Sequence, residues 1–257
     1  LASSAASDVY KRQFTYRAAG INHLTWFTDM KIDGKDVYPK LHDKLKESGF
    51  DKKEPISKQL YDIYGLYPAP GDRHVGEFFP YYMKEEVLME QDYEWKNNDF
   101  KVVDGWREEA RVLFDEVRTK KEGYEEFLKG SGETATYFIR SLATGDISDE
   151  MVNVINNGYI DNVSSGIIVE LPTYIDEFGL HPQKIGKLPD AIAAQCDRLG
   201  REYLLMVEAA ATCNYELARQ AMFLDPLVSN CKYPELLLKD LIRANLDLLP
   251  EAWEKHC

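Results

Sequence analysis

Apolar and polar side chains alternate from residue 19 to residue 33, with many β-branched and aromatic residues, and the pattern stops at Asp33-Gly34. A period of two indicates a half-buried strand, and Asp-Gly is a common turn, so this stretch predicts a β-hairpin. On this interpretation His23 lies on a strand. A histidine there is most often a core residue whose ring nitrogens contact neighbouring carbonyls, and that is the structural alternative to a functional role.

Helical periodicity explains most of the remaining chain. Helices are predicted in 38–48, 55–67, 106–129, 131–145 and 234–249, with Pro55 in a first turn and with Ser131 and Asn214 as caps. One apolar stripe of a longer helix is predicted to contain Leu188, Ile192, Cys196, Leu199, Tyr203, Val207 and Ala210. Residues 151–163 and 166–176 are strand-like and predict an antiparallel pair, whereas 68–82 predicts a Pro/Gly-punctuated loop that runs into a short helix. The fold class is therefore α+β, with antiparallel strands and a helical layer.

Composition narrows the class of protein. The 257 residues are 44% hydrophobic and carry a net charge of −13, so a sizeable core is expected, and nucleic acid or an anionic membrane surface is excluded as a partner. Neither a membrane-spanning run nor a signal peptide is evident, which predicts a cytoplasmic protein. Four cysteines lack metal-type spacing and are interpreted as structural or incidental: Cys196, Cys213, Cys231 and Cys257.

The first thirteen residues differ from the rest. They show no periodicity, and Asp8 to Gln13, DVYKRQ, is also the translation of a transposon-end adaptor used to prepare sequencing libraries. We therefore expect 1–13 to be an artefact or disordered, 14–257 to be one domain, and the natural protein to continue upstream.

Three groups of polar residues are candidates for a functional site. They are Asn22-His23, the loop Gly71-Asp72-Arg73-His74 with Glu77, and Asn156-Asn157-Gly158. Each has a structural alternative: Asp72 as a turn or cap residue, Arg73 as its ion-pair partner, and the asparagines as turn formers. Ionisable side chains in a Gly/Pro-rich loop flanked by aromatic residues are nevertheless typical of a sugar site, because rings such as those of FFPYY pack against a pyranose.

These residues carry a family resemblance. AAGINHLTWF, DGKDVYPKL, GDRHVGEFFPYY, VNVINNGYIDNVSSGIIVELP and the segment from GKLPDAIAA to DPLVSN together resemble the C-terminal portion of glycoside hydrolase family 4, which is NAD- and manganese-dependent. The resemblance implies a fold like the C-terminal domain of lactate and malate dehydrogenases, with the N-terminal Rossmann domain truncated. It covers nearly everything after Phe14. Cys213 departs from it, because the family pattern has glycine there, and we interpret this residue as ending a helix.

The resemblance also implies the chemistry. His23 is a ligand of the catalytic Mn²⁺, with a cysteine partner in the missing domain, and Asn22 lines the substrate pocket. The sugar is oxidised at C3 with NAD⁺ as hydride acceptor, the C2 proton is removed, and the C1 substituent is eliminated before water adds. Asp72 is assigned as the C2 base, while Arg73, His74 and Asn157 are assigned to substrate binding.

The substrate is predicted only by resemblance. GDRHVGEFFPYY is closer to the members that accept unphosphorylated α-galactosides or related sugars than to the phospho-glycosidases, so an α-galactosidase is favoured, followed by an α-glucosidase or α-galacturonidase. A sugar oxidoreductase is the nearest enzymatic alternative. The isolated fragment is predicted to be an inactive dimerisation or substrate-binding module. A homodimer or homotetramer acting on a small-molecule glycoside is expected.

Overall fold

A six-stranded antiparallel sheet forms the centre of the computed structural model, which describes residues 13–46, 54–83, 100–120, 125 and 134–256. The predicted artefact, except Gln13, lies outside these residues. The strands are β1 (Phe14–Ile21), β2 (Leu24–Ile32), β3 (Lys35–Asp36), β4 (Ser148–Ile155), β5 (Ile168–Asp176) and β6 (Gly179–Pro182).

Two hairpin systems meet in this sheet. The strand order is β3-β2-β1-β5-β4, with β6 also paired to β5. β1 joins β5 through a single register pair, Gly20 with Glu170. Because β1 and β4 are both antiparallel to β5, they run in the same direction. The turns that follow Ile21 and Ile155 therefore lie at the same edge of the sheet.

The described residues form eight α-helices. They are α1 (Tyr38–Lys46), α2 (Pro55–Tyr64), α3 (Asp72–Val75), α4 (Phe100–Lys120), α5 (Ala135–Thr144), α6 (Asp190–Thr212), α7 (Tyr215–Leu224) and α8 (Pro234–Ala244). Short 3₁₀ helices occupy Gly76–Phe78, Pro80–Met83, Leu227–Asn230 and Glu251–His256.

The main core lies between the sheet and the first half of α6. Its largest fully buried side chains are Trp26, Phe79, Leu24, Ile56, Leu60, Ile160, Ile167, Leu171, Ile192, Val75 and Val169. The contact between α6 and the sheet is close at Gly200, where an added Cβ would lie 2.0 Å from Cγ2 of Ile167. The glycine therefore allows the helix to approach the chain that enters β5. A smaller cluster forms around Leu238, Ile242 and Trp253.

The structure confirms the α+β class and most predicted elements. Pro55 begins α2, and the Asn214 side chain caps α7 by accepting hydrogen bonds from the amides of Glu216 and Leu217. The predicted antiparallel pair is β4 and β5, and the Asp33-Gly34 turn joins β2 to β3.

Several details differ from the prediction. His23 does not lie on a strand but in a tight turn, because the period-two pattern of β1 continues into β2 across only two residues. The charged helix begins earlier, at Phe100, and the predicted cap Ser131 lies outside the described residues. The predicted apolar stripe of α6 is buried only up to Leu199. Beyond that residue a different face of the helix is buried, which includes Glu202 and Ala209, and Val207 is 66% exposed.

No helix in the described ranges is both long enough and apolar enough to cross a bilayer.

Candidate active site

The Asn22-His23 turn connects the two central strands of the first hairpin. β1 ends at Ile21 and β2 begins at Leu24, so both turn residues project from the sheet edge and are exposed. Gly20 has φ +154°, and an added Cβ would lie 2.3 Å from the carbonyl oxygen of Leu24. Only glycine therefore permits this close return of the chain. The peptide bond between Asn22 and His23 is cis.

A carboxylate on the neighbouring strand holds this turn. The Asn22 side-chain amide donates to Oε1 of Glu170 at 2.9 Å, and the Thr25 hydroxyl donates to Oε2 of the same residue. Glu170 also pairs with Gly20 through the backbone. The sequence analysis did not single out Glu170. The only signal for it was a charged residue in the otherwise apolar segment GIIVELP.

The second candidate group, the Gly71–His74 loop, is fixed by reciprocal helix capping. Asp72 accepts hydrogen bonds from the backbone amides of Ile56 (2.8 Å, to Oδ2) and Ser57 (2.7 Å, to Oδ1) in the first turn of α2. In return, Glu54 accepts from the backbone amide of Asp72 through Oε2 at 2.8 Å. Both Asp72 oxygens thus face helix amides that have no intrahelical partner. The structural alternative for Asp72, a capping residue, is confirmed, and its assignment as the C2 base stays a prediction.

This capping brings the two histidines of the candidate groups together. The ring centroids of His23 and His74 are 4.4 Å apart, with the ring planes inclined at 46°. Arg73 lies between Asp72 and His74 in α3, and its side chain is outside the described part of the structure. The fold therefore joins the GINH and GDRH motifs at one point.

His23 is suited to hold a metal ion as part of a ligand set. Its imidazole is exposed on a tight turn and lies beside a second imidazole, and neutral imidazole is the commonest protein ligand for transition metals. Within the described ranges, however, no three His, Cys, Asp or Glu side chains come together in a metal-binding group. The residues fit a divalent cation only if other ligands come from elsewhere.

Three cysteines lie in the described residues, and one of them, Cys196, is fully buried. Cys196, Cys213 and Cys231 are free thiols. Burial raises the pKa of Cys196 to about 12, so this core residue does not form the thiolate that binds metals. Cys213 ends α6 in a left-handed conformation, in agreement with its interpretation as a helix-ending residue.

The aromatic segment after α3 is partly structural. Phe79 and Tyr82 are buried in the core, whereas Tyr81 is 63% exposed. A cavity of about 310 Å³ lies between this segment and α6, and it is lined by Phe78, Phe79, Pro80, Tyr81, Gln195, Arg198 and Pro226. It offers ring faces together with amide and guanidinium donors, a combination that suits a polar ring compound.

The asparagines after β4 divide into two roles. Asn156 is fully buried; its amide donates to the carbonyls of Ile160 and Val163, and its Oδ1 accepts from the Ile160 amide. It is therefore a loop-forming residue. Asn157 is exposed at the same sheet edge as the Asn22-His23 turn, and its substrate-binding role stays a prediction.

Comparison with known proteins identifies the domain. Residues 18–228 match the model described as the family 4 glycosyl hydrolase C-terminal domain. The chain belongs to glycosyl hydrolase family 4. This assignment confirms the resemblance carried by GINH, GDRH and the β4–β5 segment.

The relatives of this family 4 chain are glycosidases named for different sugars. It is 30% identical over 249 residues to an alpha-galactosidase of Bacillus subtilis (strain 168), covering 91% of this chain and 55% of the relative. It is also 30% identical over 269 residues to an alpha-galacturonidase of Thermoanaerobacterium saccharolyticum, covering 96% of this chain and 56% of the relative.

A solved structure matches the same region. It is a 6-phospho-alpha-glucosidase from gut microorganisms in complex with NAD and glucose-6-phosphate, with a TM-score of 0.74 and 25% identity, covering 93% of this chain and 55% of that one. The family 4 chain thus spans about half the length of the relatives that it matches.

Proposed function

We propose that the full-length protein containing this chain is an α-galactosidase acting on unphosphorylated sugars through redox-assisted elimination. The observation that carries the proposal is the 4.4 Å approach of His23 and His74, which unites the two motifs implicated by the family resemblance. In the proposed reaction the sugar is oxidised at C3 with NAD⁺ as hydride acceptor. The C2–H bond then becomes acidic, the proton is removed, and the C1 substituent leaves. Water then adds at C1, a proton returns to C2, and the hydride returns from NADH to C3, so that the sugar is released without net oxidation.

His23 would hold a Mn²⁺ ion through its exposed imidazole, with the remaining protein ligands supplied by the rest of the full-length protein. When bound, the ion supplies Lewis-acid stabilisation of negative charge on the sugar oxygens. Asn22 lies next to His23 on the same turn, so its carboxamide would contact a sugar held beside the ion. Arg73, His74 and Asn157 are proposed to bind other sugar hydroxyls.

Asp72 is proposed as the base at C2, but it needs a change of contacts to act as one. Its two oxygens accept hydrogen bonds from the amides of Ile56 and Ser57, and these bonds occupy the carboxyl group. Proton abstraction requires a carboxylate oxygen within hydrogen-bond reach of the sugar C2 proton. The base role therefore needs one capping bond to open or to be shared.

Three alternative activities of the full-length protein follow from the sequence and the relatives. An α-galacturonidase is supported by the 30% identity to such an enzyme, and an α-glucosidase by the family resemblance. A sugar oxidoreductase would use the same oxidation but release a keto-sugar. The chain by itself is proposed to be an inactive substrate-binding or dimerisation module, because it brings together only part of a metal ligand set.

A substrate panel tests this proposal. Full-length protein with NAD⁺ and Mn²⁺ would be assayed on p-nitrophenyl α-galactoside, α-glucoside and α-galacturonide, with p-nitrophenol and NADH measured together. Release of p-nitrophenol from the α-galactoside without net NADH supports the proposal. Accumulation of NADH without p-nitrophenol indicates the oxidoreductase, and turnover by residues 14–257 alone contradicts the proposed inactivity of the fragment.

We also infer a homodimer or homotetramer. Large apolar side chains on α6 and α8 are exposed in the single chain, including Met206, Val207, Leu236 and Leu241. Sedimentation equilibrium of the full-length protein tests this, and a monomer at micromolar concentration contradicts it.

A further inference from the structure

Glu170 is the one register partner of Gly20 across the junction between β1 and β5. From this position its carboxylate reaches the turn that follows β1. Oε1 accepts from the Asn22 amide nitrogen at 2.9 Å, and Oε2 accepts from the Thr25 hydroxyl. One side chain thus contacts both the turn and the start of β2.

The donor and acceptor roles in these hydrogen bonds determine the orientation of the Asn22 side-chain amide. Oε1 of Glu170 accepts this hydrogen bond, so the group of Asn22 that faces Glu170 is the NH₂ and not the carbonyl. Oδ1 of Asn22 therefore points away from Glu170. Among the residues that the structure describes, Oδ1 has no hydrogen-bond donor, and Asn22 as a whole is exposed.

We propose that Glu170 is a positioning residue that orients Asn22 as a hydrogen-bond acceptor for a sugar hydroxyl beside His23. The proposal rests on the proposed function and deepens it, because it specifies a hydroxyl donor as the group recognised at this point. A polyol supplies such donors, whereas a ketone or ether oxygen does not. A sugar that carries a free hydroxyl opposite Asn22 is therefore bound more tightly than its deoxy or O-methyl analogue.

A double-variant cycle tests the orientation. In Asn22→Asp two carboxylates face each other, and in Glu170→Gln the NH₂ group must face either Asn22 or Thr25, both of which are donors in the native arrangement. The double variant Asn22→Asp/Glu170→Gln reverses the bond: the glutamine NH₂ donates to position 22, and its oxygen still accepts from Thr25. The net charge is unchanged, and position 22 still offers an outward acceptor.

Full-length protein is expected to lose about tenfold to a hundredfold in kcat/KM in each single variant, because each loses a charge-assisted hydrogen bond. The double variant is expected to recover to within a few-fold of the wild type. The matched control is Glu208→Gln on the exposed face of α6, which removes one carboxylate without touching the site. A double variant that folds normally but stays as impaired as the singles overturns the acceptor orientation.

The same cycle separates this proposal from the proposed function. The urea unfolding midpoints of the wild type, the two single variants and the double variant of this 257-residue chain report the Asn22–Glu170 interaction without any catalysis. Non-additive midpoints, with recovery in the double variant, support the pair even if the full-length protein hydrolyses no glycoside. Additive midpoints overturn it even if the glycosidase activity is present.

Discussion

The imidazole of His23 lies beside that of His74, with 4.4 Å between the ring centroids. One ring comes from a turn at the sheet edge, and the other from a one-turn helix whose position depends on capping. Residues far apart in the sequence therefore meet because hydrogen bonds hold both the β1–β2 turn and the α2–α3 cap in place. Any function assigned to this point depends on both.

Replacement of Asp72 should destabilise the chain through α2. Asp72→Ala leaves the amides of Ile56 and Ser57 without their carboxylate partner, and loss of such a cap costs about 1–2 kcal/mol in the free energy of unfolding. Urea denaturation of this 257-residue chain measures the change. The control is Asp62→Ala, which removes only an exposed pair with Lys58 and should cost less than about 0.5 kcal/mol. Equal effects of the two variants would contradict the capping role.

The stability of the chain should fall between about pH 4.5 and 7 because of Glu202. Burial, with a smaller contribution from the charge of Asp225, raises the pKa of Glu202 to about 7 from its ordinary 4.5, while Arg198 opposes the shift. Over this range the folded chain retains a proton that the unfolded chain releases, so the free energy of unfolding decreases as the pH rises. The penalty is absent below pH 4.5 and complete above pH 7.

Glu202→Gln should therefore be more stable than the wild type at pH 8, by about 1–3 kcal/mol, and should lose this advantage near pH 4.5. Urea unfolding across this pH range gives the difference directly. Glu208→Gln on the same helix is exposed and should leave the pH profile unchanged. Parallel profiles for Glu202→Gln and the wild type would show that Glu202 titrates at its ordinary pKa.

Cys213→Gly should stabilise the end of α6. Cys213 has φ +51° and ψ +40°, a left-handed conformation in which a Cβ costs about 1 kcal/mol. Glycine removes this cost, and the gain is reduced by its greater freedom in the unfolded chain and by the loss of thiol contacts with the Trp253 cluster. We expect a net increase of about 0.5 kcal/mol in the free energy of unfolding. Cys213→Ala keeps the Cβ and should not stabilise; if it stabilises as much as glycine, the backbone explanation is wrong.

Local signals in the sequence predicted much of the fold. Pro55 marked the start of α2, Asn214 the start of α7, and Asp33-Gly34 a turn, because each of these residues acts on its own backbone neighbourhood. The helix end at Cys213 was also predicted, because the family pattern has glycine at this position and a left-handed helix end normally carries glycine.

The candidate site was less predictable because its contacts are long-range. Nothing local to Asp72 indicates that its carboxylate caps a helix beginning at Pro55, and nothing local to Glu170 indicates its bond to Asn22. The position of His23 was mistaken because a two-residue turn barely interrupts the alternation of two strands. The family resemblance, and not the pattern, indicated that His23 matters.

The measurement that tests the central claim most directly is hydrolysis of p-nitrophenyl α-galactoside by the full-length protein, with and without NAD⁺ and Mn²⁺. Wild type, His23→Ala and the control His181→Ala, an exposed histidine on β6, would be compared. The account predicts activity that requires both cofactors, disappears in His23→Ala and persists in His181→Ala. Activity that is indifferent to NAD⁺, or that survives in His23→Ala, would contradict it.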